Sequence, residues 1–263
     1  MPIRALSTAS TGMTAMQTQV DVIANNLANV RTTGFKQDRA NFTDLLYQEI
    51  QRAGVRLPGE NLTPVGKAVG SGVRLASIDK EFSQGSLTLT GSDLDMAISG
   101  EGFFQVLLPS GAVAYTRDGS FQRDKDGNLV TGNGQLMQPA ITLPGEASRF
   151  TISETGLIQA YSGAAEAPIA TAQVEIARFI NPKGMRAIGD NLFLATEASG
   201  QPETGTPGSA NFGTIVPQAL EESNVEIVRE MVDLISAQRA YEINSNAIKT
   251  SDEMLRVANG LRA

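Results

Sequence analysis

Near the start of the chain the apolar residues recur at Leu6, Ala9, Met13, Met16, Val20, Ile23, Leu27 and Val30, with alternating spacings of three and four. This heptad pattern predicts a helix of about 25 residues whose stripe packs on another helix. Ala9, Met13 and Met16 make that stripe thin and adaptable. Toward the other end Leu220, Ile227, Leu234, Tyr241, Ile248 and Leu255 lie seven apart, in a stretch free of Pro and Gly from Gln218 to Asn259. It predicts the longest helix of the chain, stopped at Gly260. Its seam also holds Met231 and Ala237, and turns polar through Gln238, Asn244, Ser245 and Ser251. Such seams close either an internal hairpin or a contact between copies, and polar seam residues specify a partner more than they stabilise it.

Between the helices the period changes. The runs FFQVLL (103–108), AYTRDGSFQRD (114–124), GNLVT (127–131) and AQVEIARFI (172–180) predict short strands. Asp118-Gly119, Asp126-Gly127 and Asn133-Gly134 supply hairpin turn chemistry. Residues 48–72 and 196–217 follow neither period and read as irregular stretches next to the helices. The predicted class is α+β, with a mainly antiparallel all-β middle body. Residues 1–30 and 220–263 form a terminal helical coiled-coil domain. Residues 31–91 and 186–219 form a connector carrying the extended loop 48–72, and 92–185 form an all-β outer domain.

Composition then narrows the chemistry. The 263 residues include no Cys, His or Trp, which excludes thiolate, disulfide, Cys/His zinc and imidazole relay chemistry. The 21 basic residues are scattered among 28 acidic ones, so no basic footprint for nucleic acid exists. No apolar run matches a membrane span and the N-terminus has no signal-peptide core, which by these rules alone predicts a cytoplasmic chain without membrane insertion. DKDGN (124–128) misses the calcium-loop spacing and reads as a turn. SGEGFF (99–104) lacks phosphate-loop spacing and reads as a tight strand entry. Glu221-Glu222 is accounted for by the dipole of the helix expected to start there. No catalytic, cofactor-binding or metal-binding residue is predicted, and the chain is not expected to be an enzyme. A carboxylate-based hydrolase and a monomeric binding module are the competing classes.

DVIANNLANVRTTGFKQDRANF (21–42) fits no routine helix. Asn25, Asn26 and Asn29 flank the first seam although Asn is a poor helix former, so their amides must bond something that compensates. Gly34 is suited to a left-handed C′ position, with Phe35 as its hydrophobic contact.

Here the chain resembles the bacterial flagellar axial family of rod and hook proteins, through NNLANVRTTGFK (25–36). The likeness extends to ALSTASTGMTAMQTQVDVIANNLANV, GSLTLTGSDLDMAISGEGFFQV (85–106), AYTRDGSF (114–121) and MVDLISAQRAYEINSNAIKTSDEMLRVANGL (231–261). Arg31 departs from the asparagine common there. Length, the loop at 48–72 and RAYEINSNAIKTSDEML point to the distal rod branch, with hook or proximal rod proteins as the alternative. The resemblance implies a self-assembling structural subunit of a rigid hollow shaft that carries torque from motor to hook. Expected partners are copies of itself in a helical homo-oligomer, proximal rod and hook proteins, and the P- and L-ring proteins. It implies export by the flagellar type III apparatus without a cleaved signal peptide, to a basal body spanning periplasm to outer membrane, which replaces the cytoplasmic reading. The subunit interface expected from it comprises Leu6, Met13, Met16, Val20, Ile23, Asn25, Asn26, Leu27, Asn29, Val30, Gly34, Phe35, Ile227, Met231, Leu234, Tyr241, Asn244, Ile248 and Leu255.

Overall fold

The structure, a computed structural model, describes residues 2–51, 65–163 and 167–260. The chain divides into two units: Met1–Ala28, Asp38–Asp79 and Glu226–Ala263 form one, Asn29–Gln37 and Lys80–Val225 the other.

The first unit is built on helices α1 (Pro2–Ala28) and α2 (Ile227–Gly260). They pack in opposite directions, with Gly12 against Asn244 and Asn26 against Glu230. A Cβ at Gly12 would stand 2.9 Å from the Asn244 amide, so the absence of a side chain permits this approach. The buried positions of α1 are Ala9, Ala15, Val22, Ile23 and Asn26. Leu6, Met13, Val20 and Leu27 are half-buried at its edge. Strands β1 (Asp38–Asp44) and β4 (Val73–Lys80) pair, and between them β2 (Gln48–Gln51) pairs antiparallel with β3 (Lys67–Val69). The stretch 48–72 is therefore strand at both ends. No alternation announced it, because β2 and β3 are exposed on both faces and held by main-chain pairing. Residues 52–64 of the expected loop lie outside the described residues.

The second unit is all β. Its strands are β5 (Leu87–Leu89), β6 (Met96–Ser99), β7 (Phe103–Leu107), β8 (Val113–Thr116), β9 (Phe121–Arg123), β10 (Leu129–Thr131) and β11 (Leu136–Gln138). They continue with β12 (Arg149–Ile152), β13 (Leu157–Tyr161), β14 (Ala170–Gln173), β15 (Ile176–Arg178), β16 (Arg186–Gly189), β17 (Leu192–Leu194), β18 (Glu203–Gly205), β19 (Thr214–Pro217) and β20 (Ala219–Glu221). The main sheet runs β16-β17-β8-β7-β11-β10-β9, with β15 pairing both β7 and β18. Smaller sheets are β12-β13-β14, β19-β6 and β20-β5. Strand alternation splits β7: Phe104 and Val106 enter the main core with Ile98, Leu129, Met137 and Ile215, while Phe103 joins Tyr115, Phe179 and Phe193 in a second cluster.

Two sequence expectations change here. The long helix begins at Ile227, because Ala219–Glu221 pairs with β5 and the sevenfold step from Leu220 to Ile227 crosses from strand to helix. Asp126-Gly127 and Asn133-Gly134 do turn hairpins, with Gly127 and Gly134 at φ 85° and 83°. Asp118-Gly119 does not, since β8 and β9 are not partners. Gly119 is instead a close approach: a Cβ there would lie 1.5 Å from the Met96 carbonyl oxygen. Gly119→Ala is expected to lower stability by at least about 2 kcal/mol in urea unfolding. Gly132→Ala, with nothing within 4 Å of the added carbon, should change it by under about 0.5 kcal/mol.

Candidate interaction surfaces

The amides of residues 25–41 have specific partners. Asn26 is buried; its Nδ2 donates to the Asp38 carbonyl at 2.9 Å and its Oδ1 accepts the Asp38 N–H at 2.9 Å. The side chain thus copies a β-ladder pair and ties α1 to β1. Asn25 donates to the Asp38 carboxylate at 3.2 Å, Asn29 accepts from the Thr32 hydroxyl at 3.2 Å, and Asn41 donates to Asp79 at 2.7 Å. In the second unit Asn224 accepts the Gln37 N–H at 2.8 Å and donates to the Glu81 carbonyl at 2.8 Å.

Gly34 is not the C′ residue of α1, which ends at Ala28. At φ 68° it belongs to the following turn, where a Cβ would come within 2.6 Å of the Asp118 nitrogen, so only glycine fits. Its N–H donates to the Glu221 carbonyl at 2.8 Å. Phe35 is buried beneath the Lys80 ammonium, 4.9 Å from the ring centroid. Lys36, also buried, donates to Glu221 Oε1 at 2.6 Å and to the Ser83 carbonyl at 2.7 Å. Arg117 meets Glu221 Oε2 at 3.3 Å and the Gly100 carbonyl at 2.8 Å, and the Gly85 N–H adds a 3.0 Å bond to Oε1. Burial holds the Lys36 ammonium below its ordinary range, opposed by Glu221, and burial likewise lowers Arg117. Glu221 is therefore no exposed helix-start acid; β20 carries it inward against two cations.

The expected interface residues fall into groups. Ile23, Asn26, Gly34 and Phe35 are buried within the chain. Asn25, Ile227, Met231 and Tyr241 are exposed, and the others half-buried. The sequence reading missed a second face of α2. Val228, Val232, Ile235, Ile243, Met254 and Val257 are 49–71% exposed, and at about 100° per residue they share an arc of about 100°. The buried positions Glu230, Ala237 and Ser251 lie about 140° away around the helix. The signal was present in the sequence: apolar residues at i, i+4 and i+7 from Val228 form a stripe of their own, hidden by the more regular sevens.

Among the described residues no group of three or more Asp or Glu is placed to hold a metal ion, and no helix is long and apolar enough to cross a membrane. Three protein families match: Flagella basal body rod protein over residues 6–36, Flagellar hook protein FlgE/F/G D1 domain over 97–160, and Flagellar basal body rod FlgEFG protein C-terminal over 216–261. The chain is similar to the flagellar basal-body rod protein FlgG of Borreliella burgdorferi, 50% identical over 262 residues that cover 99% of each chain. It is 47% identical to FlgG of Caulobacter vibrioides, across 99% of this chain and 100% of the relative. It is 47% identical to FlgG of Buchnera aphidicola subsp. Baizongia pistaciae, across 97% and 98%.

The ionic node makes an ordered prediction. Glu221→Gln strands two buried cations and should cost about 3–5 kcal/mol. Lys36→Met leaves one carboxylate facing one guanidinium and should cost less, about 1–2 kcal/mol. Because the folded value of Lys36 lies below its unfolded value, the folded chain binds fewer protons between the two, and this residue makes stability rise with pH there. The stability of the parent chain relative to Lys36→Met should therefore increase as pH climbs toward 10.5. Urea unfolding at several pH values reads both effects; a flat or falling difference contradicts the second.

Proposed function

The chain belongs to the flagellar basal body rod protein family, and from that premise we propose that it is a self-assembling structural subunit of the distal rod, the hollow shaft carrying torque from motor to hook. Its role on this reading is mechanical, not enzymatic. The observation that carries it is the apolar face α2 turns away from α1. Six exposed aliphatic side chains in one stripe, on the side away from α1, are a poor surface for an isolated chain and call for a second partner.

Neighbouring copies supply that partner. The terminal helices join those of other subunits in a coiled-coil inner tube, using the α2 stripe together with Leu6, Met13, Met16, Val20, Leu27 and the exposed Asn25, Ile227, Met231 and Tyr241. Ile23, Asn26, Gly34 and Phe35 serve the same contact by holding the chain in shape. The β body forms the outer layer, facing P- and L-ring proteins, with proximal rod and hook proteins at the two ends of the shaft. Leu46, Tyr47, Ile50, Val65 and Val69 are exposed on and beside β2 and β3, which supports bracing of adjacent subunits by the 48–72 segment. Export through the flagellar type III apparatus brings the chain to a shaft spanning periplasm to outer membrane.

The double variant Val232→Lys with Ile243→Lys tests the reading. Parent protein should grow into filaments visible by electron microscopy, whereas the variant should stay monomeric with unaltered unfolding of the β body. Filaments of normal length and yield from the variant would remove the stripe from the interface.

A further inference from the structure

Helix α2 carries two unlike surfaces. One is the outward stripe, whose midpoint is not aliphatic: exposed Arg239 lies four residues after Ile235 and four before Ile243, within the same arc. The other is a groove of about 490 Å³ in the first unit, lined by Gln238, Tyr241 and Glu242 of α2 and by Gln17 and Val20 of α1. Stripe and groove lie about 120° apart around α2.

Each surface lacks what the other holds. Among the described residues neither Arg239 nor Glu242 has an ion-pair partner. They stand three residues apart on one helix, in the order Arg before Glu that is the weaker one for such a pair. A cation in the middle of an apolar stripe opposes covering that stripe unless the covering surface supplies an anion. The groove supplies one, and its other residues suit a guanidinium. Glu242 offers a carboxylate, Gln17 and Gln238 offer amide oxygens, Tyr241 offers an aromatic ring, and Val20 offers an apolar wall for the arginine stem. Stripe packed on stripe about a two-fold axis at its midpoint would instead set Arg239 against Arg239, and would close at a dimer.

We propose that the groove receives Arg239 of a second copy of this chain, with Ile235 and Ile243 seated on its rims, so that the stripe of each copy covers the groove of the next. Contact between unlike surfaces leaves a free stripe at one end of the row and a free groove at the other, so addition of copies does not stop after one step. This contact rests on the assembly reading above and gives the stripe its covering surface.

Growth of the full-length protein, followed by light scattering and electron microscopy, tests it. Arg239→Glu sets two carboxylates together at every contact and Glu242→Arg sets two guanidiniums together, so each variant alone should elongate at least about tenfold more slowly than the parent. The double variant, with the charges exchanged, and an equimolar mixture of the two single variants should both grow within about twofold of the parent, because opposite charges meet again at every contact. Both positions are exposed and both residue types favour helix, so circular dichroism of the monomers should not change. The mixture separates a contact between copies from a pair within one helix, which only the double variant would restore. Single variants that grow like the parent, a mixture that stays inert, or parent assembly that ends at a dimer overturns the proposal. A parent that forms no assembly at all overturns the assembly reading and this contact with it, whereas failed rescue beside a growing parent removes the contact alone.

Discussion

The carboxylate of Glu221 organises the place where the chain passes from α1 into the β body and later out of it toward α2. It accepts from Lys36 in the turn after α1, from Arg117 just beyond β8, and from the Gly85 N–H, while its own backbone carbonyl accepts from Gly34. Three segments far apart in sequence are thereby fixed by one side chain, and each is constrained in turn. Gly34 has room for no side chain beside Asp118, and Phe35 and Lys36 must both point inward. A buried carboxylate serving two cations contributes little net stability against apolar packing, but its loss would leave charge stranded in the interior. Such a node acts chiefly to specify a single arrangement of the chain.

Asparagine side chains finish the task on both sides of that passage. The chain moves between units after residues 28, 37, 79 and 225. Asn26 brackets Asp38 on one side, and Asn224 brackets Gln37 and Glu81 on the other. Irregular backbone at such crossings has no ladder or helix to satisfy its polar groups, and a side-chain amide carries the matching donor and acceptor in one plane. Asn26, inside α1, gives up some helix propensity in exchange.

This explains what sequence could and could not reveal. Long-period signals were legible: the two helices, the strand-rich middle and the hairpins at Gly127 and Gly134 follow from periodicity and turn chemistry. That Asn25, Asn26 and Asn29 needed bonding partners was also legible, because the residue type is locally unfavourable. For Asn25 and Asn26 the partners were not, since Asp38 and Glu230 become their neighbours only through tertiary contacts, whereas Asn29 bonds the nearby Thr32. Glu221 misled for a related reason. An acid just before a long helix has a sufficient local explanation in the helix dipole, and nothing local betrays that residues 219–221 pair with 87–89 instead. AQVEIARFI read as one strand, yet it divides between β14 and β15 in different sheets, because Val174 and Glu175 separate two pairings that composition cannot distinguish.

The two faces of α2 are unlike in polarity. A helix in a self-sufficient hairpin would turn its aliphatic side chains inward and its polar ones outward. Here Glu230, Asn244 and Ser251 lie on the side that meets α1, while six aliphatic residues face away. The inner contact is close, since Gly12, Ala9 and Ala15 let the helices approach, but it buries little apolar surface and specifies more than it stabilises. Fully burying each outward Val, Ile or Met is worth about 1.5–3 kcal/mol, so most of the hydrophobic free energy available to α2 is realised only when something covers that face. On the proposed reading the covering surface is another subunit, which couples ordering of the helical unit to growth of the shaft and leaves the β body, with its own complete core, folded beforehand.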